Sequence, residues 1–238
     1  MRLVCVIPAR YESTRLPGKP LRLLGGEPLI RYVTRRALAL DLPGDILVAS
    51  DDRRVLDAVA GLGVEGVLTD AGHASGTERI AEVVARRGLR DPDLVLNLQG
   101  DEPFLPREAA VGAVERVQAG DDIGTAAQPL SPEGRRDPNR VKVDVDGRGR
   151  ALRFYRTPAA QACGVQAPTF QHLGVYAYRA ATLRTWMMLP RVEQETTEGL
   201  EQLRPLAHGL RIGVAVLPTA APHGIDTEHD LRLAEALL

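Results

Sequence analysis

The stretch LVCVIPARYESTRLPGKPL, residues 3–21, decides how this chain begins to fold. Residues 3–7 are all apolar and rich in β-branched side chains, which predicts a strand buried in a sheet. The sequence then changes abruptly to a loop that holds three cations within ten residues, Arg10, Arg15 and Lys19. The chain therefore begins with a core strand whose carboxyl end carries concentrated positive charge.

Apolar runs alternate with helical patterns over the first half of the sequence. Short apolar segments predict strands at residues 3–7, 45–50, 64–68 and 93–98. Helical spacing predicts helices at residues 28–40, near 55–59, at 77–87 and at 106–119. Strands that alternate with helices predict a three-layer α/β fold, in which a mostly parallel sheet is covered on both faces.

The pattern changes from about residue 123. Polar turns at residues 131–134 and 146–149 separate strands that are predicted at 123–129, 141–145 and 151–155. This texture predicts a small antiparallel insertion around residues 123–180 within one domain of residues 1–238. Later patterns predict strands at 173–178 and 211–217, helices at 182–188 and 198–207, and a short helix after Thr227.

Composition and charge narrow the class of protein. The 238 residues are 44% hydrophobic and 26% charged, which is typical of soluble globular proteins, and the net charge of −1 gives no bias towards nucleic acid or membranes. No apolar run approaches the roughly 20 residues that span a bilayer. The two cysteines, Cys5 and Cys163, are too few and too far apart for a disulfide framework or a zinc site. We therefore expect a reduced, cytoplasmic protein, with Cys5 as a core residue.

The cation-rich loop follows the first strand, and ligands of open α/β sheets bind at the carboxyl ends of strands. Gly18 and the small Ser13 allow backbone N–H groups to approach an anion, and arginine and lysine side chains bind phosphate oxygens. The alternative is a solvated basic loop that is paired with carboxylates elsewhere. Neither GxxxxGK[ST] nor GxGxxG occurs here, so the loop is not one of those two phosphate-binding motifs.

Two aspartates are candidates for a metal site. Asp101 follows the strand predicted at residues 93–98, and Asp226 precedes the last helix. Mg²⁺ prefers oxygen ligands together with substrate phosphates, so Asp101 could bind it, and Asp226 is the candidate for the second carboxylate that would hold it firmly. The alternative for each aspartate is a helix N-cap, and Thr227 is a second candidate for the cap of the last helix.

Seven segments carry a resemblance that runs over nearly the whole chain: PARYESTRLPGKPL (8–21), HASGTER (73–79), NLQGDEP (97–103), PN with VKV (138–143), HLGVYAYR (172–179), LEQLR (200–204) and GIDT (224–227). In this order they resemble the 3-deoxy-manno-octulosonate cytidylyltransferase family of sugar-activating cytidylyltransferases. The resemblance implies a Rossmann-like nucleotidyltransferase fold. It also implies the transfer of CMP from CTP to a 3-deoxy-2-keto sugar acid, with Mg²⁺ as the cofactor and a homodimer as the assembly.

The resemblance also assigns roles to individual residues. The catalytic residues are implied to be Arg10, Arg15, Lys19, Asp101 and Asp226, of which Asp101 and Asp226 would hold Mg²⁺. The nucleotide would be bound by Pro8, Ala9, Arg10, Ser13, Arg15, Lys19, Ser75, Arg79 and Gln99. From the sequence alone, however, Ser75 or Thr77 could simply cap the helix that begins here.

The sugar acid would be bound by Gln99, Arg156, His172, Tyr176, Glu201 and Gln202. From the residues alone, His172 could instead be a structural histidine, Tyr176 a core residue, and Glu201 and Gln202 the solvated face of a helix. The segment between Arg156 and His172 is shorter than in the family and departs from its pattern. The acceptor could therefore be another 2-keto sugar acid, such as 8-amino-3-deoxy-octulosonate or a sialic-type acid, and a non-catalytic CTP-binding relative is a further alternative.

Overall fold

A computed structural model describes residues 1–156 and 167–238, which form two compact units. The first unit contains residues 1–106 and 222–238, and the second contains residues 107–221. Cys163 and most of the shortened segment that follows Arg156 lie outside the described residues. The single domain of residues 1–238 stays a prediction.

The first unit is built on a parallel sheet. Its strands and helices are β1 (Leu3–Ala9), β2 (Leu23–Leu24), β3 (Glu27–Pro28), α1 (Leu29–Ala39), β4 (Asp45–Ser50), α2 (Arg53–Ala58), β5 (Glu65–Leu68), α3 (Gly76–Arg86), β6 (Leu94–Leu98) and α9 (Glu228–Glu235). The strand order is β6-β1-β4-β5, and all three pairings are parallel, whereas β2 and β3 form a separate antiparallel pair. The strands and helices predicted for residues 3–98 are confirmed to within about two residues at each end.

The core of this sheet is the apolar run that begins the chain. Val4, Val6 and Ile7 are fully buried because β1 lies between two neighbours and under helices. Cys5 is buried among them, as predicted, and its burial raises the pKa of the thiol to about 12. Parallel pairing places the carboxyl ends of β1, β4 and β6 at one edge of the sheet, so the loops that follow these strands are neighbours.

The second unit combines parallel and antiparallel pairing. It contains α4 (Arg107–Gln118), β7 (Ile123–Gln128), α5 (Pro132–Arg136), β8 (Lys142–Val145), β9 (Ala151–Tyr155), β10 (Thr169–Arg179), α6 (Ala180–Met188), α7 (Glu193–Glu198), α8 (Leu203–Ala207) and β11 (Ile212–Val216). Strand β11 is parallel to β7, whereas β10 is antiparallel to both β7 and β8, and β8 is antiparallel to β9. The small antiparallel region predicted here is confirmed.

Two predictions of local structure in this unit are wrong. Residues 131–134 were expected to form a turn, but the Ser131 side chain accepts the N–H of Gly134 at 3.0 Å and caps the short helix α5. The helix expected at residues 198–207 forms only over residues 203–207 as α8, because α7 lies earlier in the chain and ends at Glu198. Gly199 adopts a left-handed conformation (φ 62°) that ends α7, and α8 begins only at Leu203.

Among residues 1–156 and 167–238, no helix combines the length and the apolar character needed to cross a lipid bilayer.

Candidate active site

The cation-rich loop lines a pocket of about 380 Å³ that is open to solvent. Its lining residues are Arg10, Tyr11, Glu12, Ser13, Thr14, Pro17 and Gly18. Gly18 has a φ of 66°, a left-handed backbone conformation that favours glycine. Arg10 and Arg15 are exposed at this surface, where they can meet an anion.

Lys19, Asp101 and Asp226 form the centre of the candidate site. The Lys19 ammonium donates to Asp101 Oδ2 at 2.5 Å and to Asp226 Oδ1 at 3.0 Å, and Arg15 lies 2.9 Å from the same Asp226 oxygen. Burial by itself lowers the pKa of Lys19, but the two carboxylates outweigh that effect and leave the pKa above its ordinary value. The ammonium is therefore charged, and two acids that are 125 positions apart in the sequence converge on it.

Asp226 is held by the helix that follows it. Thr227 caps α9 and forms a capping box with Asp230, which contradicts the alternative that Asp226 is the cap. Asp230 Oδ2 accepts the backbone N–H of Asp226 at 3.2 Å and that of Thr227 at 2.9 Å. These contacts fix the loop and leave the Asp226 carboxylate available to Lys19.

His223 in turn holds Asp230, the residue that fixes the loop of Asp226. His223 Nε2 lies 2.7 Å from Asp230 Oδ1. Burial alone raises the pKa of Asp230, but the hydrogen bonds from His223 and Thr227 outweigh it and hold the pKa far below its ordinary value. We did not expect this role for His223 or Asp230 from the sequence, although Thr-x-x-Asp before an apolar helix is a recognisable capping signal.

Asp101 is positioned by close backbone contacts. Ile225 N–H donates to the Asp101 carbonyl at 2.8 Å, so the segments that carry the two aspartates are bonded to each other. A Cβ on Gly224 would lie 3.0 Å from the same carbonyl, and one on Gly100 would lie 2.8 Å from the Pro8 carbonyl. The next helix begins only at Arg107, so Asp101 is not a helix cap.

The predicted nucleotide residues have protein partners at the same sheet edge. Ser75 caps α3 by accepting the Glu78 N–H at 3.1 Å, which is the structural alternative considered for it. Arg79 is 2% exposed, lies 3.3 Å from Asp51 and also bonds Thr69. Asp51 also accepts the backbone N–H of Tyr11 at 3.2 Å, so it links Arg79 to the cation-rich loop.

Three other residues belong to this edge. Pro8 and Ala9 are buried at the end of β1, and Gln99 donates to Asn97 at 3.3 Å. Asp51, which we did not predict as a site residue, could have been found because it directly follows β4, as Arg10 follows β1.

In the second unit, His172 and Tyr176 are brought together. The His172 ring lies between Phe154, with centroids 5.3 Å apart, and Tyr176, at 5.2 Å. Thr125 donates its hydroxyl proton to the Val175 carbonyl at 2.6 Å, so it accepts the Nε2–H of a neutral His172 at 2.8 Å. Burial, helped by the charge of Arg156, lowers the pKa of His172 to about 3.

Arg156 is bonded extensively to the main chain. Its Nε donates to the Glu198 carbonyl at 3.0 Å and its Nη1 to the Asn139 carbonyl at 3.2 Å, while the Glu198 carboxylate accepts its backbone N–H at 2.9 Å. The Lys142 ammonium donates to the Arg156 carbonyl at 2.6 Å. Arg156 therefore ties α7 to neighbouring loops, in addition to the carboxylate-binding role that we predict for it.

Glu201 and Gln202 lie in the turn between α7 and α8 rather than on a helix face. Arg204 donates to both carboxylate oxygens of Glu195, and this buried pair spans the turn. Gln202 is 3% exposed and Glu201 is partly exposed. The ion pair thus connects the two helices on either side of the turn.

Comparisons with known proteins agree with the predicted family. Residues 4–212 match the sequence model described as cytidylyltransferase. The 3-deoxy-manno-octulosonate cytidylyltransferase of Gemmatimonas aurantiaca is 48% identical, with coverage of 97% of this chain and 92% of that protein. The protein of the same name from Methylococcus capsulatus is 47% identical, with coverage of 96% and 94% respectively.

A solved structure extends the agreement to the fold. The structure of a CMP:2-keto-3-deoxy-manno-octonic acid synthetase complexed with CTP has a TM-score of 0.87 and 36% identity, covering 100% of this chain and 98% of that one. The predicted α/β nucleotidyltransferase fold is thereby confirmed. The chain belongs to the cytidylyltransferase family.

Proposed function

We propose that this enzyme transfers CMP from CTP to 3-deoxy-manno-octulosonate (Kdo) and releases pyrophosphate. The observation that carries the proposal is the convergence of Lys19, Asp101 and Asp226 beside a loop whose Arg10 and Arg15 are exposed. Cations that can hold a triphosphate and acids that can hold its metal are thus gathered at one edge of the sheet. The names of the relatives supply the acceptor.

The reaction forms one bond and breaks one. A hydroxyl oxygen of the sugar acid attacks the α-phosphorus of CTP, the bond from that phosphorus to the bridging oxygen breaks, and pyrophosphate leaves with the electron pair. The hydroxyl proton passes to solvent. Because phosphoryl and nucleotidyl transfers depend on positioning and on neutralisation of charge, Arg10, Arg15 and Lys19 would act by holding the β- and γ-phosphates and stabilising the leaving group.

The residues present fit Mg²⁺. Asp101 and Asp226 offer carboxylate oxygens that already share one cation, which is the donor chemistry that Mg²⁺ prefers. Among the described residues no cluster of three or more His, Cys, Asp or Glu side chains could hold a metal, so phosphates and water would complete the coordination. Bound Mg²⁺ would lower the negative charge at the α-phosphate and help to ionise the attacking hydroxyl.

The binding roles follow the same proposal. The nucleotide would be bound by Pro8, Ala9, Arg10, Ser13, Arg15, Lys19, Ser75, Arg79 and Gln99, with Ala9 and the segment from Ser75 to Arg79 at the cytosine base. The sugar acid would be bound by Gln99, Arg156, His172, Tyr176, Glu201 and Gln202. The neutral His172 and the partly exposed Glu201 suit hydroxyl groups, whereas Arg156 suits a carboxylate. A homodimer and a cytoplasmic location are also part of the proposal and rest on the family resemblance.

The test is the release of pyrophosphate. We expect release when CTP, Mg²⁺ and Kdo are supplied together, and none when any one of them is omitted. A panel with 8-amino-Kdo and a sialic-type acid in place of Kdo identifies the acceptor, since the true acceptor gives the highest kcat/KM. Tight CTP binding without pyrophosphate release on any acid would refute the proposal and favour a non-catalytic CTP-binding protein.

A further inference from the structure

We infer that Lys19 occupies the place of the divalent ion until nucleotide arrives, so that the metal enters the site together with the triphosphate. The inference deepens the proposed function and rests on it. It concerns the order in which charges meet at Asp101 and Asp226.

The carboxylates are already compensated in the chain alone. Lys19 bonds both aspartates at 2.5 and 3.0 Å, and Arg15 adds a second positive charge 2.9 Å from Asp226. Two negative groups therefore face two positive ones. A free divalent ion would have to displace an ammonium that is itself mostly buried, with only 16% of its side chain exposed.

The protein alone supplies few ligands to a divalent ion. Asp101 and Asp226 are two ligands, and no third acid, histidine or cysteine joins them within the described chain. Mg²⁺ holds its water strongly and is usually bound through one or two carboxylates together with substrate phosphates. The affinity of the nucleotide-free site for a free divalent ion should therefore be low.

A bound triphosphate would change both the number of metal ligands and the charge around Lys19. Its oxygens supply the missing ligands, and its negative charge gives Lys19 a new partner. Lysine suits such an exchange because its ammonium is a point charge on a flexible stem, whereas a guanidinium fork is fixed in its geometry. The ammonium would thus pass from the aspartates to the phosphates as the metal takes its place, and neither set of charges would be left unpaired.

The experiment measures binding of Mn²⁺ alone to the full-length, nucleotide-free protein by electron paramagnetic resonance. We expect weak binding to the wild-type protein and at least tenfold tighter binding to Lys19→Met, which removes the ammonium but keeps an unbranched side chain. Arg22→Gln is the matched control, because it removes a nearby cation that pairs with Glu228 at 2.8 Å and not with the aspartates. It should leave Mn²⁺ binding unchanged.

A second measurement uses the wild-type protein alone and does not depend on the folding of a variant. Added CTP, without any sugar acid, should tighten Mn²⁺ binding by at least tenfold beyond the amount that free CTP binds. Equal Mn²⁺ affinity with and without CTP, or equal affinity of the wild-type and Lys19→Met proteins, would overturn the inference. Neither measurement needs turnover, so a failure of pyrophosphate release would be recognised separately.

Discussion

The charged centre around Lys19 and the cluster around Arg156 and His172 satisfy their polar groups in opposite ways. Lys19 bonds two side chains that remain about a quarter exposed, and its ammonium donates to no backbone carbonyl within residues 1–156 and 167–238. Arg156 bonds backbone carbonyls, and His172 bonds a threonine whose own proton is committed to the main chain. The first set can exchange its partners for a ligand, whereas the second set is part of the framework that gives its unit a fixed shape.

This difference predicts different consequences of mutation. The charges around Lys19 should matter chiefly for the rate, because Asp101 and Asp226 are partly exposed and Lys19 keeps one carboxylate when the other is removed. The buried charges of the second unit, such as Glu195 and Arg204, should matter for stability as well, because an uncompensated buried charge is costly.

The largest effect is expected for Asp226→Asn. The substitution removes one of the two charges that would hold the metal, and we expect kcat to fall about a thousandfold, a magnitude typical of losing one group that stabilises transition-state charge. The free energy of unfolding should change much less than kcat, because Asp226 is partly exposed and Lys19 keeps Asp101 as a counter-charge. Asp122→Asn is a matched control, because Asp122 pairs with Arg211 at an exposed position. A variant Asp226→Asn with normal kcat would contradict the assignment of the metal ligands.

The next effect concerns the ion pair of Glu195 and Arg204, which spans the turn that contains Glu201 and Gln202. Glu195→Gln removes the negative charge that accepts two hydrogen bonds from Arg204 in a buried position, so we expect the free energy of unfolding to fall by about 3 kcal/mol. Urea denaturation measures this loss. Glu193→Gln changes an exposed residue of the same helix and should have almost no effect. If both variants were equally stable, the turn would not depend on the ion pair.

The same substitution also sharpens the proposed binding role. A displaced turn should raise KM for the sugar acid while KM for CTP stays the same. A matched rise in both constants would show that the second unit affects the enzyme only through its overall stability.

The smallest of the three effects is a dependence of stability on pH. The pKa of His172 is about 3 in the folded protein and about 6.5 in the unfolded chain. Below pH 6.5 the unfolded state therefore binds a proton that the folded state does not, and stability falls as the pH falls towards 3. Between pH 7 and pH 5 we expect a loss of about 2 kcal/mol from this one group.

The measurement compares the wild-type protein with His172→Gln, which keeps an N–H donor for Thr125 but does not titrate. Urea denaturation at both pH values should show a loss that is smaller by this amount in the variant. Identical losses in the two proteins would mean that His172 is already protonated in the folded state or lies in a more polar environment.

Much of the fold could be predicted because it depends on local pattern. The apolar run of β1 and the alternation of strands and helices predicted the parallel sheet. Because the carboxyl ends of parallel strands meet at one edge, the same pattern predicted that the loop of Arg10 lies beside Asp101. Gly199 shows where local pattern fails. It ends α7 in a position that helical spacing had included in a longer helix.

The contacts of the site depend on partners far away in the chain and could not be derived from spacing. Lys19 bonds acids that are 82 and 207 positions away, a pairing that no periodicity reveals. The assignment of a proton to His172 Nε2 likewise follows from Thr125 and Val175, which only the folded strands bring together. The sequence motifs identified the right residues, but the structure shows that several of them already have partners.

The most direct test of the central claim is the location of the metal in a crystal of the wild-type protein grown with CTP and Mn²⁺ and no sugar acid. The account predicts an anomalous diffraction peak bonded to carboxylate oxygens of both Asp101 and Asp226, with the Lys19 ammonium moved onto the phosphates. A Mn²⁺ ion bound only by phosphates, with Lys19 still bridging the two aspartates, would contradict it.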